Sequence, residues 1–356
     1  MNIQFLAEGD NLVFAGKEGL ETVSSMYLAP FVTNVGDEIC MIRNVYTKSE
    51  YRRKGCMDKL MKEAFACMQS EAEPYTVLRP YNEKYFLPYG FADIIDRPYE
   101  TVNSDRIGED KLDAMKQGDE SFEIKGGYFI EPVSKTGYKE VSSFIMNGLK
   151  ECSDCYPVYT PEWAESLENQ LKTKGGNFLS IVKDGEIKSV FAYITNISKN
   201  ESGDAVSEKV VEFSFPKEAA ETELVCDRDS QRFTHVMART VNVPAMFSHL
   251  SGVKEFVLAV KVYDERLTEN AGLYLLHCGP VGGAITALKI GDASLTNASG
   301  EKLTAECEIT IENLTRFCFG YKNAKDCFKV YVKSKEEEVL GNLDALVRIK
   351  NPEFLC

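Results

Sequence analysis

The amino-acid sequence predicts a mixed α/β fold of the α+β class, divided over several domains. Its 356 residues are enough for two or three domains of ordinary size. With 44% hydrophobic and 27% charged residues, the chain can bury apolar cores. Segments with strand-like alternation recur along the chain, and segments with helical spacing of apolar residues lie between them.

The charge of the chain bears on the class of its partners. The formal net charge is −14 at pH 7, whereas nucleic acid and anionic membranes are bound by basic surfaces. No apolar run approaches the roughly 20 residues that span a bilayer, and no signal peptide is recognisable. We therefore expect no nucleic acid or membrane partner and a soluble, cytoplasmic protein.

Cysteine and histidine usage argues against disulfide and metal chemistry. The chain has 11 cysteines, an odd number scattered among apolar neighbours, as reduced core cysteines are. The close pair Cys152 and Cys155 has no second pair at zinc spacing, so we expect a solvent-side loop with two thiols. The histidines, His235, His249 and His277, lie in apolar neighbourhoods without a recognisable catalytic or ligand partner. No metal site and no hydrolase triad are predicted.

The first predicted domain covers residues 1–102. Residues 1–47 are typical of strands joined by turns. A helix is predicted from about 55 to 70, followed by a short buried strand within 74–80. A brief helix over 81–86 and a further strand complete this domain.

The most informative segment of this domain is the turn that precedes its helix. Arg52, Arg53, Lys54 and Gly55 open directly onto the helix, so free backbone N–H groups and the helix dipole point at one place. Gly55 permits close backbone approach, and three full positive charges stand out in an acidic chain. The turn predicts a cradle for an anion, and the expected ligand is a pyrophosphate.

Two further domains are predicted after a linker over 103–126, which is polar and carries a short helix near 110–116. Residues 127–240 are typical of a strand, two helices and a hairpin turning at Asp184-Gly185. Residues 241–356 contain two strands, a third strand and a helix that begins near 312.

Three segments carry a resemblance to a known family. Residues 52–57 read Arg-x-x-Gly-x-Met, which resembles the acetyl-CoA signature Arg/Gln-x-x-Gly-x-Gly/Ala of the GCN-five-related N-acetyltransferases (GNAT). A basic run, a glycine and bulky residues are the pattern of the Eis (enhanced intracellular survival) branch. Residues 85–91 resemble the aromatic-x-x-x-Gly-Phe ending of the acetyltransferase core. Residues 239–244 resemble the Arg-x-Val-Asp-Val connector of Eis proteins, with Asn242 in place of Asp.

This resemblance covers essentially the whole chain and implies its domain organisation. Residues 1–102 would be an acetyltransferase domain, and 127–240 would be a second, degenerate acetyltransferase-like domain without a cradle. Residues 241–356 would be a sterol-carrier-like domain, although fold similarity does not imply sterol binding. A strand and two helices that normally precede the strands of the first domain are not recognisable. Either the gene start is shortened, or the first domain has lost one wall of its acceptor groove.

The resemblance also implies acetyl-CoA as co-substrate, with no metal. The backbone of the strand before the cradle would hold the pantetheine arm, and the cradle would hold the pyrophosphate. The predicted cofactor-binding residues are Val45, Tyr46, Thr47, Arg52, Arg53, Lys54, Gly55, Cys56, Met57 and Asn82.

The catalytic groups implied by the family are less fully preserved. Where family members usually carry a general-acid tyrosine, this chain has Phe86 and Phe91, which cannot donate a proton. Tyr85 is the candidate general acid. The alternative is that Tyr85 and the nearby Tyr89 are only aromatic side chains of the core or the groove. In Eis proteins the base is the carboxylate at the C-terminus, which makes the Cys356 carboxylate the candidate here, with Glu353 as the alternative.

The resemblance therefore implies an acetyl-CoA-dependent N-acetyltransferase. The acidic charge favours a cationic amine acceptor, such as an aminoglycoside, a polyamine or a lysine of a peptide. The alternative is a CoA-binding or scaffold protein of the same family without transfer activity. Family resemblance further implies a homo-oligomer, a trimer or a hexamer.

Overall fold

The computed structural model describes residues 1–8, 11–118, 120–199, 204–216, 219–280, 282–290, 303–349 and 352–355. The chain divides into two compact units. The first unit comprises Met1–Ile95, Asp154–Pro157 and His235–Pro352. The second comprises Asp96–Ser153, Val158–Thr234 and Glu353–Cys356.

The first stretch of the chain is rich in strands and contains one long helix. Its elements are β1 (Asn2–Glu8), β2 (Asn11–Glu18), β3 (Glu21–Val32), β4 (Glu38–Thr47), a 3-10 helix (Ser49–Tyr51), α1 (Cys56–Ser70), β5 (Tyr75–Leu78), two further 3-10 helices (Glu83–Tyr85 and Leu87–Tyr89) and β6 (Ala92–Val102).

The middle stretch supplies most of the second unit. Its elements are α2 (Ser104–Ile107), α3 (Glu109–Gln117), β7 (Phe122–Ile124), β8 (Tyr128–Pro132), α4 (Val133–Thr136), α5 (Tyr138–Cys152), α6 (Pro161–Thr173), β9 (Asn177–Lys183), β10 (Glu186–Lys199), β11 (Ala205–Phe215), a 3-10 helix (Thr222–Leu224) and β12 (Cys226–Thr240).

The last stretch belongs almost wholly to the first unit. Its elements are α7 (Val243–Ser248), β13 (Phe256–Tyr263), β14 (Gly272–Cys278), β15 (Ile285–Ile290), β16 (Cys307–Thr310), α8 (Ile311–Cys318), α9 (Ala324–Cys327), β17 (Lys329–Val330), a 3-10 helix (Lys333–Lys335) and α10 (Glu336–Asp344).

The main sheet of the first unit has the strand order β1-β2-β3-β4-β5-β12-β6. Its neighbours pair antiparallel from β1 to β4, whereas β4 and β5 run parallel, as a crossover through α1 requires. Helix α1 buries one apolar face against this sheet because its apolar residues recur at helical spacing. That face joins side chains of β2, β3, β4, β5 and β12 in one core.

A smaller sheet in the same unit has the order β15-β14-β13-β16-β17, with β13 and β16 parallel and the other pairs antiparallel. Thr310 caps helix α8 by accepting a hydrogen bond from the backbone N–H of Asn313. The predicted strands and the helix of this region are confirmed, and the helix begins one residue before the predicted start.

The second unit is built on strands in the order β6-β11-β10-β9-β8-β7. Its core includes Ile107, Leu112 and Met115, which come from the segment predicted to be a linker. The predicted helix near 110–116 is confirmed as α3, and the same segment also contains α2 and β7. Residues Phe122–Ile124 form a strand that pairs with β8. This strand could not be predicted, because three residues are too few to show an alternating pattern.

Most element predictions in this unit are confirmed, including the hairpin of β9 and β10 and the capped helix α6. Thr160 accepts a hydrogen bond from the backbone N–H of Trp163 at the start of α6.

The prediction that Cys152 and Cys155 are two thiols of a solvent-side loop is wrong for one of them. Cys155, a residue of the first unit, is buried, and its Sγ lies 3.2 Å from the hydroxyl oxygen of Tyr75. Cys152 is exposed as expected.

The mixed α/β fold class is confirmed. No helix among the described residues is long and apolar enough to cross a membrane.

Candidate active site

Strand β4 carries a bulge where it approaches the predicted cradle. Along the β3–β4 ladder, Ser25 faces Tyr46 and Tyr27 faces Arg43, so β4 contains one residue more than β3 over this interval. Asn44 lies within the bulge with a φ of 49°. The bulge therefore interrupts the regular alternation of side chains on β4 at this point.

Beyond the bulge, β4 also separates from β5. The parallel ladder between them comprises the pairs Met41–Val77 and Ile42–Leu78, and β5 ends at Leu78. Within the described residues, the β5-facing edge of 43–47 consequently has no strand partner. An exposed strand edge of this kind can accept hydrogen bonds from an extended ligand chain, as an added strand would.

The predicted cradle is formed by the turn between β4 and α1. Gly55 is the N-terminal cap of α1 and has a φ of 73°, a left-handed conformation that favours glycine. Arg53 is also left-handed, with a φ of 61°. The α1 N-terminus is therefore preceded by a tightly turned backbone, and the place of a Cβ on Gly55 is open, with no atom within 4 Å. This geometry suits an approaching anion.

The charged side chains of the cradle are exposed. Arg52 donates a hydrogen bond from Nε to the carbonyl oxygen of Thr47 at 3.2 Å, and Lys54 Nζ lies 5.1 Å from the ring centre of Tyr51. One opposing charge, Asp58, stands in the first turn of α1, but Arg266 Nη1 lies 3.0 Å from its Oδ1. The local field consequently remains favourable to an anion.

The other predicted cofactor residues occupy different environments. Tyr46 is exposed, whereas Val45 and Met57 pack partly against the core beneath α1. Cys56 is buried in the first turn of α1. These roles remain predictions.

Thr47 and Asn82 already take part in hydrogen bonds within the protein. The Oγ atoms of Thr47 and Ser24 lie 2.7 Å apart, so Thr47 is held by β3. Asn82 caps the 3-10 helix Glu83–Tyr85 by accepting a hydrogen bond from the backbone N–H of Lys84. Their CoA contacts also remain predictions.

The aromatic segment after β5 contains both exposed and buried rings. Tyr85 is 61% exposed, whereas Phe86 and Phe91 are 7% and 0% exposed and belong to the core beneath α1. The ring centres of Phe86 and Phe91 are 5.9 Å apart in an edge-on arrangement. The two phenylalanines thus fill the core, and the role of Tyr85 as an acid remains a prediction.

A buried ion pair lies next to this aromatic segment and is hydrogen-bonded to its backbone. Arg239 is fully buried, and its Nη2 lies 2.8 Å and 3.0 Å from the two carboxylate oxygens of Asp264. Its Nε donates to the carbonyl oxygen of Tyr89. The place of a Cβ on Gly90, which has a φ of 81°, is 3.2 Å from that Nε, so this position requires glycine. The arginine of the predicted connector is therefore a structural residue.

Tyr89 has a perturbed acidity. Burial raises the pKa of its hydroxyl, and the nearby Asp58 carboxylate raises it further, while Arg266 opposes both. The raised pKa means that the Tyr89 hydroxyl is protonated at neutral pH and is a weaker acid than an exposed tyrosine.

The C-terminal segment belongs to the second unit. Cys356, the predicted base, lies outside the described residues. Phe354 and Leu355 are buried, and the backbone N–H of Leu355 donates to the Tyr159 hydroxyl oxygen at 2.6 Å. Glu353, the alternative base, forms an ion pair with Arg97.

Two of the three histidines lie beside carboxylates. His235 Nε2 lies 3.8 Å from Glu83 Oε2, and His249 Nε2 lies 3.4 Å from Asp37 Oδ2. The sequence neighbourhood of these two histidines showed no such partner. Each partner is more than 150 positions away in the chain, so no local pattern could have revealed the pairs.

Comparison with known proteins identifies the class of the first domain. Residues 6–94 match the family model described as "Acetyltransferase (GNAT) domain". This segment contains the bulged strand β4, the cradle and α1. The match supports an N-acetyltransferase, a class of transferase. No curated protein matches the chain.

Solved structures with similar folds include acetyltransferases. A conserved protein of unknown function from Enterococcus faecalis V583, described as a probable N-acyltransferase, has a TM-score of 0.62 at 16% identity. A GCN5-related N-acetyltransferase from Anabaena variabilis has a TM-score of 0.60 at 14% identity. Eis1 from Mycobacterium abscessus has a TM-score of 0.57 at 8% identity. These alignments cover 96–97% of this chain and 89% of each of those chains, so the likeness is one of fold over nearly the full length.

Proposed function

We propose that this protein is an acetyl-CoA-dependent N-acetyltransferase that acts on an amine acceptor. The observation that carries the proposal is the succession of a bulged strand, an unpaired strand edge and a glycine-capped helix N-terminus within residues 43–57. Few ligands need both an extended arm along a strand and an anion at a helix start, and CoA is one of them.

In this proposal the protein acts mainly by positioning. The backbone of 44–47 holds the pantetheine arm, and Arg52, Arg53, Lys54 and the first N–H groups of α1 hold the pyrophosphate. Fixing the thioester beside a bound amine converts a bimolecular reaction into an effectively intramolecular one. Acetyl-CoA supplies the activated acetyl group, and the protein must also receive protons from the amine and stabilise the leaving thiolate.

The acceptor is proposed to be cationic. The net charge of −14 favours the approach of cations such as aminoglycosides, polyamines or lysine side chains. For the acid and the base, the sequence offers Tyr85 and the Cys356 carboxylate, with Glu353 as a second base. Glu353 is already engaged in an ion pair with Arg97, so the terminal carboxylate is kept as the first candidate.

We also propose the Eis-like domain organisation for the whole chain. Residues 127–240 would form a degenerate acetyltransferase-like domain, and residues 241–356 a sterol-carrier-like domain. The full-length fold similarity to Eis1 supports this organisation. By the same resemblance the protein would be a homo-oligomer, a hexamer or a trimer, which sedimentation analysis would test. A cytoplasmic location is proposed as well.

The competing function is CoA binding without acetyl transfer. It is favoured by the burial of Phe86 and Phe91 at the positions where family members carry their general acid. Incubation with acetyl-CoA and a panel of polyamines, aminoglycosides and lysine peptides, with thiol release as the readout, separates the two functions. We expect release with at least one cationic amine. Measurable CoA binding without release from any amine would favour the competing function.

A further inference from the structure

Three polar side chains from separate elements meet in the first unit. Glu83 comes from the 3-10 helix after β5, Asp93 from β6 and His235 from β12. Their nitrogen and oxygen atoms all lie within 4.8 Å of one another, and His235 Nε2 is 3.8 Å from Glu83 Oε2. All three residues are partly buried. The cluster thus combines two carboxylates with one imidazole at a sheltered but reachable place.

The cluster lies at the end of the sheet where the CoA-binding elements are predicted. Strand β12 is antiparallel to β5 and places Met237 opposite Leu78, the last residue of β5. His235 is therefore beyond the C-terminal end of β5. The unpaired segment 43–47 of β4 extends past the same end, because β4 and β5 are parallel. The chain enters the cradle directly from that segment.

The imidazole also lies on the face of the sheet that α1 covers. Residues two apart on a strand share a face, so His235 and Met237 point to the same side. Met237 packs in the core beneath α1 together with Phe86 and Phe91. His235 consequently lies at the border of the core that contains the two phenylalanines which replace the expected acid.

We propose that Glu83 and Asp93 bind the ammonium group of a cationic acceptor and that His235 takes the proton which this ammonium must lose. This inference rests on the proposed function and names the acceptor site within it. It assigns the base to the first unit in place of the Cys356 carboxylate suggested by the family resemblance.

The reaction balances with acetyl-CoA as the co-substrate. The ammonium gives one proton to His235, and the free amine attacks the thioester carbon. The C–N bond forms and the C–S bond breaks, while a second proton passes from the amide nitrogen to the leaving sulfur. The products are the N-acetylated amine and CoA thiol, and His235 returns its proton to water. An imidazole suits this step because its ordinary protonation equilibrium lies nearest to neutral pH.

The catalytic part of the proposal is tested with His235→Ala. We expect kcat/KM for acetyl transfer to spermidine to fall about 100-fold or more, as for loss of a general base. CoA affinity measured by calorimetry should remain unchanged, and added imidazole should restore part of the rate. His277→Ala is the matched control, because His277 is an exposed histidine on β14 and should leave the rate unchanged. A merely structural histidine would not be rescued by imidazole.

The binding part is tested without any reaction. Calorimetric titration of spermidine should show roughly tenfold or greater weakening in Glu83→Gln and in Asp93→Asn, the range for a lost charge-assisted contact. Glu71→Gln, a change at an exposed carboxylate outside the cluster, is the control and should bind spermidine as the unmodified protein does.

Several outcomes would overturn the inference. One is full activity of His235→Ala together with loss of transfer when a short polar tag extends the chain beyond Cys356, which would assign the base to the terminal carboxylate. Another is tight binding of Zn²⁺ or Mn²⁺ that the three substitutions abolish, with spermidine binding unaffected. If the unmodified protein binds CoA but transfers to no amine, both the inference and the proposed transfer activity fail. Normal transfer by His235→Ala would defeat the inference alone.

Discussion

Helices α1 and α5 both begin after a glycine, but the charges beside their N-termini differ. Each has 15 residues and follows a glycine with positive φ, Gly55 at 73° and Gly137 at 107°. The position of a Cβ on Gly55 is open, whereas that on Gly137 would collide with the carboxylate of Glu140. An anionic side chain thus already occupies the space beside the α5 N-terminus. A glycine before a helix is therefore not enough to make an anion site, because the neighbouring side chains decide whether the site is free.

The largest loss of CoA affinity should come from filling the open space beside Gly55 at the N-terminus of α1. Gly55→Val is expected to weaken CoA binding by a factor of 100 or more, because the side chain obstructs the anion and strains a left-handed backbone. Calorimetric titration with CoA measures this loss. Gly36→Val is the matched control, since Gly36 is also left-handed, at 91°, with open space around its Cβ position. Equal CoA affinity in the two variants would contradict the cradle.

A smaller effect is expected from the charges that flank the two glycines. Arg52→Ala should weaken CoA binding by about 1.5–3 kcal/mol, as for the loss of a charged hydrogen bond. Lys135→Ala, beside Gly137, should leave CoA affinity unchanged because the carboxylate of Glu140 already occupies that helix start. The same titration measures both variants. A comparable loss in Lys135→Ala would show that the two helix starts are equivalent.

The smallest effect concerns the stability of α5 itself. Glu140→Gln should lower the free energy of unfolding by about 0.3–1 kcal/mol, because a carboxylate in the first turn stabilises a helix through its dipole. Glu151→Gln is the matched control at the other end of α5, where a carboxylate is unfavourable, so stability should rise by a similar amount. Urea unfolding measures both changes. A shift of the same sign in the two variants would show that the helix dipole is not the cause.

The sequence predicted those parts of the molecule whose determinants are local. The helix from 56, its basic turn and the hairpin at Asp184-Gly185 follow from periodicity and turn chemistry within about 20 residues. The position of β12 between β5 and β6 could not be predicted in this way, since over 120 residues separate β6 from the end of β12. The cluster of Glu83, Asp93 and His235 depends on that strand order and was therefore missed.

The C-terminal segment illustrates the same limit at the level of single residues. Phe354 and Leu355 are apolar, and both are buried, as apolar side chains usually are. The ion pair between Glu353 and Arg97 was not predicted, because the two residues are 256 positions apart. A contact of that separation has no signature in one sequence.

Because of the bulge in β4, deletion of one codon at this point should be more harmful than deletion of one codon in a surface loop. Loss of a single codon for Asn44 or Val45 would remove the extra residue and restore regular pairing with β3. The residues after the bulge would keep their partners on β3, but the strand would lose the local bend and twist that the extra residue gives it just before the cradle. Most surface loops absorb such a change without harm. Here a frame-preserving deletion should be as damaging as the loss of a whole functional residue, although no charged or catalytic side chain is removed.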